Sequence, residues 1–201
     1  MENNKFAETI SKEEISKLPL KQFEGKIYIV VNRAGLKKAV KYLKKQPVLG
    51  FDTETKPAFR KNRKNKVSLL QLSTNQKAYL FRLNKTGLYD GLVDILSNEE
   101  IIKVGAALKD DLKSLKEWAD FEPNGFIDLQ QYSTHFGIIA NALKSLTAIV
   151  LGFRISKGQQ TSNWENETLT EQQIIYAATD AWVCHEIFGK LNRNGTVPNK
   201  I

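Results

Sequence analysis

An apolar run ending in two carboxylates, Val48-Leu49-Gly50-Phe51-Asp52-Thr53-Glu54, constrains this chain more than any other segment. Apolar residues without alternation predict a strand buried on both faces, near the middle of a sheet. Asp52 and Glu54 are two apart, so an extended backbone puts both on one face and turns Thr53 to the other. Two like charges at the end of a central strand repel unless something neutralises them. A divalent cation does so, and hard oxygen donors suit magnesium or manganese. Such a pair also arises by chance, so the remaining segments must carry the argument.

Those segments supply a sheet and its cover. Ile27-Tyr28-Ile29-Val30-Val31 reads as a buried strand. Leu36, Ala39, Val40 and Leu43 repeat at helical spacing with lysines opposite, and Pro47 closes that helix. Val67 to Leu72 and Ala78 to Leu83 predict two strands of a hairpin joined by Ser73-Thr74-Asn75-Gln76-Lys77. Leu88, Leu92, Val93 and Leu96 predict a helix, and Ile101 to Gly105 a short strand. Helices are expected on Leu108, Leu112 and Leu115, and on Leu143, Leu146, Ile149 and Val150 up to Gly152. Thr170-Glu171-Gln172-Gln173 is a capping box that opens a last long helix reaching Leu191, and Ser11-Lys12-Glu13-Glu14 is another. The expected organisation is an N-terminal arm over 1–22, one domain over 23–193, and a tail over 194–201 whose turn chemistry predicts fraying. Strands first, then helices with one more strand, predict an α/β domain with a mixed central β-sheet flanked by α-helices.

Composition removes several classes. A length of 201 residues suits one domain with a sizeable core. The apolar runs are far short of the roughly 20 residues of a membrane span, so no membrane partner is expected. Met1-Glu2-Asn3-Asn4-Lys5 has no apolar signal region, and a single cysteine, Cys184, excludes an internal disulfide and a cysteine-based zinc site. A cytoplasmic location is the expectation. The net charge is +8, and between Lys56 and Tyr89 there are nine Lys or Arg and no Asp or Glu. Six of them, Lys56, Arg60, Lys61, Arg63, Lys64 and Lys66, directly follow the first acidic motif. Charge runs are usually plain solvated surface, but beside a candidate phosphodiester site this one points to a nucleic-acid backbone.

Two further acidic motifs follow in order. In Leu108-Lys109-Asp110-Asp111-Leu112, Asp111 borders the apolar helix face and can look into a cleft, while Asp110 is rotated about 100° away. In Tyr176-Ala177-Ala178-Thr179-Asp180, Tyr176 and Asp180 are four apart and stack on one helical face. The small residues Ala177, Ala178 and Ala181 permit close approach of that helix to the sheet. Four carboxylates and a phenol, in this order, are suited to holding two divalent ions over a phosphodiester.

With these motifs in place, the chain resembles the DEDD superfamily of 3′–5′ exonucleases. The closer resemblance is to its tyrosine-type branch, which includes ribonuclease D and the Werner-syndrome exonuclease domain. The likeness is carried by Phe51-Asp52-Thr53-Glu54, by Val104-Gly105 through Asp111-Leu112, and by Tyr176-Ala177-Ala178-Thr179-Asp180-Ala181. Val67-Ser68-Leu69-Leu70-Gln71-Leu72 and Ser162-Asn163-Trp164 add to it. The histidine-type branch would place its base five residues before the last aspartate, where this chain has Ile175.

The resemblance implies a ribonuclease-H-like fold and two magnesium or manganese ions. Asp52 would bridge both ions, Glu54 and Asp180 would complete the first site, Asp111 would support the second, and Tyr176 would position the attacking water. The substrate would be single-stranded or 3′-ended DNA or RNA, and the product a nucleoside 5′-monophosphate. Thr53, Thr55 and Leu108 are expected near the terminal nucleotide; Arg60, Lys61, Arg63 and Lys64 near backbone phosphates; Phe59 either stacks on a base or anchors its loop; Trp164 packs. Members of the branch carry accessory modules that help select substrate, so here the basic stretch, a protein partner or an oligomer is expected to serve. The alternative is a non-catalytic nucleic-acid-binding module of the same fold.

Overall fold

Six strands make one mixed sheet: β1 (Lys26–Val30), β2 (Val48–Thr55), β3 (Val67–Ser73), β4 (Lys77–Arg82), β5 (Ile102–Gly105) and β6 (Phe126–Asp128). The structure is a computed structural model, and residues 6–58 and 65–194 are described. The spatial order is β1-β4-β3-β2-β5-β6. β2, β3 and β4 run antiparallel to one another, whereas β1 is parallel to β4, and β5 and β6 continue parallel from β2. β3 is buried along its whole length, as expected for a strand covered on both faces.

The helices are α1 (Lys12–Lys17), α2 (Arg33–Leu43), α3 (Leu83–Thr86), α4 (Asp90–Ser97), α5 (Leu108–Leu115), α6 (Leu129–Tyr132), α7 (Leu143–Leu146) and α8 (Glu171–Asn194). On one side of the sheet, α2, α4 and α5 bring Leu36, Leu43, Leu92, Leu96 and Leu115 onto Leu70, Leu72 and Phe81. The other face is covered by α8, whose Ala177 and Ala178 join Trp164, Leu69 and Leu80. Farther along, Val183, Ile187 and Leu191 of α8 meet Leu129, Leu146 and Val150. α8 starts where its capping box predicts: Gln173 N donates to Thr170 Oγ1 at 3.2 Å, and Thr170 N donates to Gln173 Oε1 at 3.0 Å.

One close approach sets the geometry of everything below. Gly50 of β2 faces α8, and a Cβ there would stand 1.9 Å from the carbonyl oxygen of Ala181. Only a hydrogen at position 50, opposite small residues on α8, lets helix and strand come this near.

The structure departs from the sequence expectations at three places. β1 is an edge strand paired on one side only, and Tyr28 and Ile29 are 40% and 43% exposed. Its apolar content specified a strand; pairing, which no local pattern encodes, left it at the margin. β6 was not expected, because three half-buried residues carry no periodicity. The helix expected over 143–150 is α7 followed by a π-helical segment, Thr147–Leu151, which stops at Gly152 with φ of +78°. The arm, for its part, packs on the domain. Arg154 N donates to Pro19 O and Lys21 N to Arg154 O, both at 2.9 Å, and Phe23 is buried with its N–H on Thr179 Oγ1 at 3.0 Å.

Gly50→Ala is expected to cost about 3 kcal/mol, at the upper end of overpacking effects, and to lower Tm by roughly 6–12 °C in a chain of this size. Gly189→Ala on the same helix, where a Cβ meets nothing within 4 Å, is expected to raise stability slightly. Thermal denaturation of the pair checks the close approach.

Candidate active site

β2 outlasts its neighbour. Its pairing with β5 stops at Gly50↔Val104, whereas its pairing with β3 continues to Thr55↔Val67 through a bulge after Glu54. Asp52, Thr53 and Glu54 therefore overhang the end of β5, in the crevice at the carboxyl ends of parallel strands where α/β sheets place their ligands. Pleating aims Asp52 and Glu54 at α8, on the face that Gly50 opens. α8 answers with Asp180. One carboxylate oxygen from each of Asp52, Glu54 and Asp180 falls within a group spanning 4.8 Å.

Asp111 reaches the same place from the opposite face. Thr53, pointing towards α5, donates its hydroxyl to Asp111 Oδ1 at 2.6 Å. The start of α5 is held from outside. Ala107 adopts φ of +61° and offers no side-chain cap. Instead the Asp128 carboxylate accepts from Ala107 N at 3.1 Å and Leu108 N at 2.9 Å, and also from Gln130 N at 2.9 Å. One anion thus satisfies free donors at two helix starts. Tyr176, one turn before Asp180, packs against buried Trp164 with ring centroids 6.1 Å apart.

The electrostatics show what this crowding does. Burial first, then the charges of Asp180 and Asp111, hold the Asp52 carboxyl well above the usual carboxylate range. Burial and then Asp52 push Glu54 up to about 10. Burial raises Asp180 to about 7 against the opposing effects of Tyr176 and Lys144, and raises Asp111 to about 6 against its bond from Thr53. The Tyr176 phenol is driven well above its ordinary value by burial and then by Asp180, so it stays protonated and available as a donor. Lys144 is pushed down to about 8 by burial and by the amine of Lys157. One partly desolvated lysine does not offset four carboxyls. Asp180 Oδ1 is buried with no hydrogen-bond partner among the described residues. An all-oxygen donor set with an orphaned acceptor fits a hard divalent cation, which would restore the carboxylates to their charged forms.

Of the residues singled out from sequence, Asp52, Glu54, Asp111, Tyr176 and Asp180 converge. Thr53 is engaged with Asp111, Thr55 lies at the bulge, and Leu108 is buried against Gly105. Phe59, Arg60, Lys61, Arg63 and Lys64 lie outside the described residues. The described cations of the basic stretch are engaged with the protein. Lys56 pairs with Glu165 at 3.0 Å, and Lys85 pairs with Glu167. Lys66 donates to Glu117 O at 2.9 Å, Lys77 lies over the Tyr42 ring, and buried Arg82 donates to Asn166 O.

Sequence reasoning passed over Asp128 and Gln71. Asp128 had a usable signal, an N-cap residue between the apolar pair Phe126-Ile127 and Leu129. Gln71 is the cross-strand partner of Asp52, hence on the same face, and is fully buried with neither amide atom partnered among the described residues. Its amide can donate to Asp52 or to a group bound there.

Comparison with known proteins agrees with fold and site. A family model described as 3′-5′ exonuclease matches residues 27–195. The mouse bifunctional 3′-5′ exonuclease/ATP-dependent helicase WRN is 32% identical over 154 residues, covering 74% of this chain and 11% of that protein. DNA polymerase I of Aquifex aeolicus is 32% identical over 162 residues, covering 81% of this chain and 26% of the polymerase. Among solved structures, the Aedes aegypti Nibbler EXO domain superposes with a TM-score of 0.79 at 21% identity, covering 87% of this chain and 92% of that one. Escherichia coli RNase D gives 0.76 at 22% identity, covering 84% of this chain and 44% of that one. The mixed sheet with its helical cover is thus a ribonuclease-H-like exonuclease fold. The chain belongs to the 3′-5′ exonuclease family. It spans well under half the length of these curated relatives.

Carboxyls with raised folded pKa values leave the folded state holding more protons than the unfolded chain, whose carboxyls titrate near 4. In EDTA, the contribution of Asp180, Asp111 and Glu54 is therefore fully present below pH ~4 and is lost as pH rises through about 6 and 7. A lower Tm at pH 8 than at pH 5.5 is expected in EDTA, narrowed in Asp52→Asn and reversed by manganese in the parent protein only. Asp128→Ala is expected to cost about 1–2 kcal/mol as a lost helix cap, and to reduce activity by freeing Asp111. Equilibrium urea unfolding and initial rates check it.

Proposed function

We propose that this domain is a two-metal 3′–5′ exonuclease that hydrolyses DNA or RNA from the 3′ end and releases nucleoside 5′-monophosphates. The observation that carries the reading is the convergence of Asp52, Glu54 and Asp180 within 4.8 Å, with Asp111 tethered to Thr53 beside them. Asp52 would be shared between two ions, Glu54 and Asp180 would complete one site, and Asp111 would serve the other. Divalent ions held there supply positive charge that acidifies an attacking water and neutralises the reacting phosphate. Magnesium or manganese suits donors that are all oxygen.

The chain's own residues do the rest. Tyr176, kept protonated by its buried acidic surroundings, donates to or orients the attacking water without itself serving as the base. Thr53 fixes the rotamer of Asp111, and Asp128 fixes the helix that carries it. Gln71 supports Asp52 from the neighbouring strand. Nucleic acid is the partner this chemistry requires, approached along the basic stretch that follows β2.

Oligonucleotides of DNA and RNA labelled at the 5′ end are expected to shorten from the 3′ end in magnesium or manganese and to remain intact in EDTA. Asp52→Ala and Asp180→Ala are expected to abolish shortening while folding is retained. Tyr176→Phe is expected to slow it on the order of 10²-fold through misplaced water, with manganese still raising Tm. Substrates that stay intact yet shift on a gel would instead establish the non-catalytic binding module.

A further inference from the structure

The carboxylate cluster opens on its Tyr176 side into a cavity of about 360 Å³ that none of the roles above uses. Three segments wall it. α8 contributes Gln172, Ile175, Tyr176, Thr179 and Asp180, a stripe at helical spacing. The loop after Ile155 contributes Ser156, Gly158 and Gln159. The third wall is the arm, through Leu20, Lys21 and Gln22.

The arm is fastened at this wall. Its backbone exchanges two hydrogen bonds of 2.9 Å with Arg154, and Arg154 Nε donates to Leu18 O at 3.0 Å. Phe23, next in the chain, is anchored on Thr179 Oγ1 beside Asp180. The polar side of the cavity is ordered as well. Ser162 Oγ donates to Gln159 Oε1, and Gln159 Nε2 donates to Gln172 Oε1 at 3.4 Å. This chain of donors fixes the sense of both amides and leaves the Gln172 NH₂ free to meet an acceptor.

The geometry points to a nucleoside-monophosphate pocket, walled by the arm, that receives the mononucleotide released at the metal centre. The inference rests on the exonuclease reading. Its volume lies at the lower end of small-ligand sites, about 300–1,000 Å³, which suits one nucleotide better than a strand. Aliphatic Leu20 and Ile175 offer flat apolar contact, while fixed amides offer donors and acceptors to the edge of a base. Tyr176 and Asp180 form a shared wall, so a mononucleotide formed there enters without crossing solvent. Thr53, Thr55 and Leu108, expected near the terminal nucleotide of the substrate, do not line the cavity. Occupancy therefore delays product departure and makes turnover sensitive to free mononucleotide.

The test titrates adenosine and thymidine 5′-monophosphate into the full chain. Inhibition of oligonucleotide shortening and calorimetric binding are measured for the parent protein, Gln172→Ala and Gln159→Leu. The expected result is an inhibition constant and a Kd raised about fivefold in each variant, the effect of one net hydrogen bond, with single-turnover cleavage and the KM for oligonucleotide unchanged. Active variants whose inhibition constants equal the parent's would overturn the pocket and leave the exonuclease reading intact. A protein that cleaves nothing, yet binds mononucleotide more weakly in both variants, would retain the pocket and overturn the catalytic reading.

Discussion

The contact of α8 with β2 at Gly50 is the constraint on which the site depends. A side chain at position 50 would run into the backbone of Ala181, the residue after Asp180. Helix and strand therefore meet backbone to backbone, and the carboxylates on either side are brought within ligand distance of one another. The alanines at 177, 178 and 181 are fully buried and serve the same end. Packing forces together groups whose charges oppose the approach.

That opposition defines the chemistry. Asp52, Glu54, Asp111 and Asp180 all have carboxyls raised by burial, and the nearest compensating cation is a lysine itself partly neutralised. Packing energy from the three apolar clusters holds the site in this arrangement. The stored electrostatic cost becomes binding energy for divalent ions, whose charge removes the repulsion. Around that centre, Thr53, Asp128 and Gln71 limit the freedom of the acidic side chains. The arm extends the same logic outward, because its anchoring on Thr179 and Arg154 shapes a cavity next to the metal ligands.

Much of this was legible in the residues. Period two placed Asp52 and Glu54 on one face, and period 3.6 stacked Tyr176 on Asp180. The capping boxes at Ser11 and Thr170 formed as their spacing predicts. Gln71 was quoted only as part of an apolar match, since nothing local says that it lies opposite Asp52. Asp128 escaped because its partners, Ala107 and Leu108, are about twenty residues away in the chain. The basic stretch was read as one surface, whereas Arg82 within it is buried and bonded to backbone carbonyls.

By itself the sequence determined the local elements, which side chains share a face, and the acidic character of three of those faces. Each follows from backbone periodicity and side-chain chemistry within a few residues. Only the tertiary structure decided that β1 lies at the sheet's edge, that Thr53 is spent on Asp111, and that the arm walls a cavity beside Tyr176. These depend on strand order and on helix-to-sheet distance, which arise from contacts distant in the chain and leave no period in the sequence.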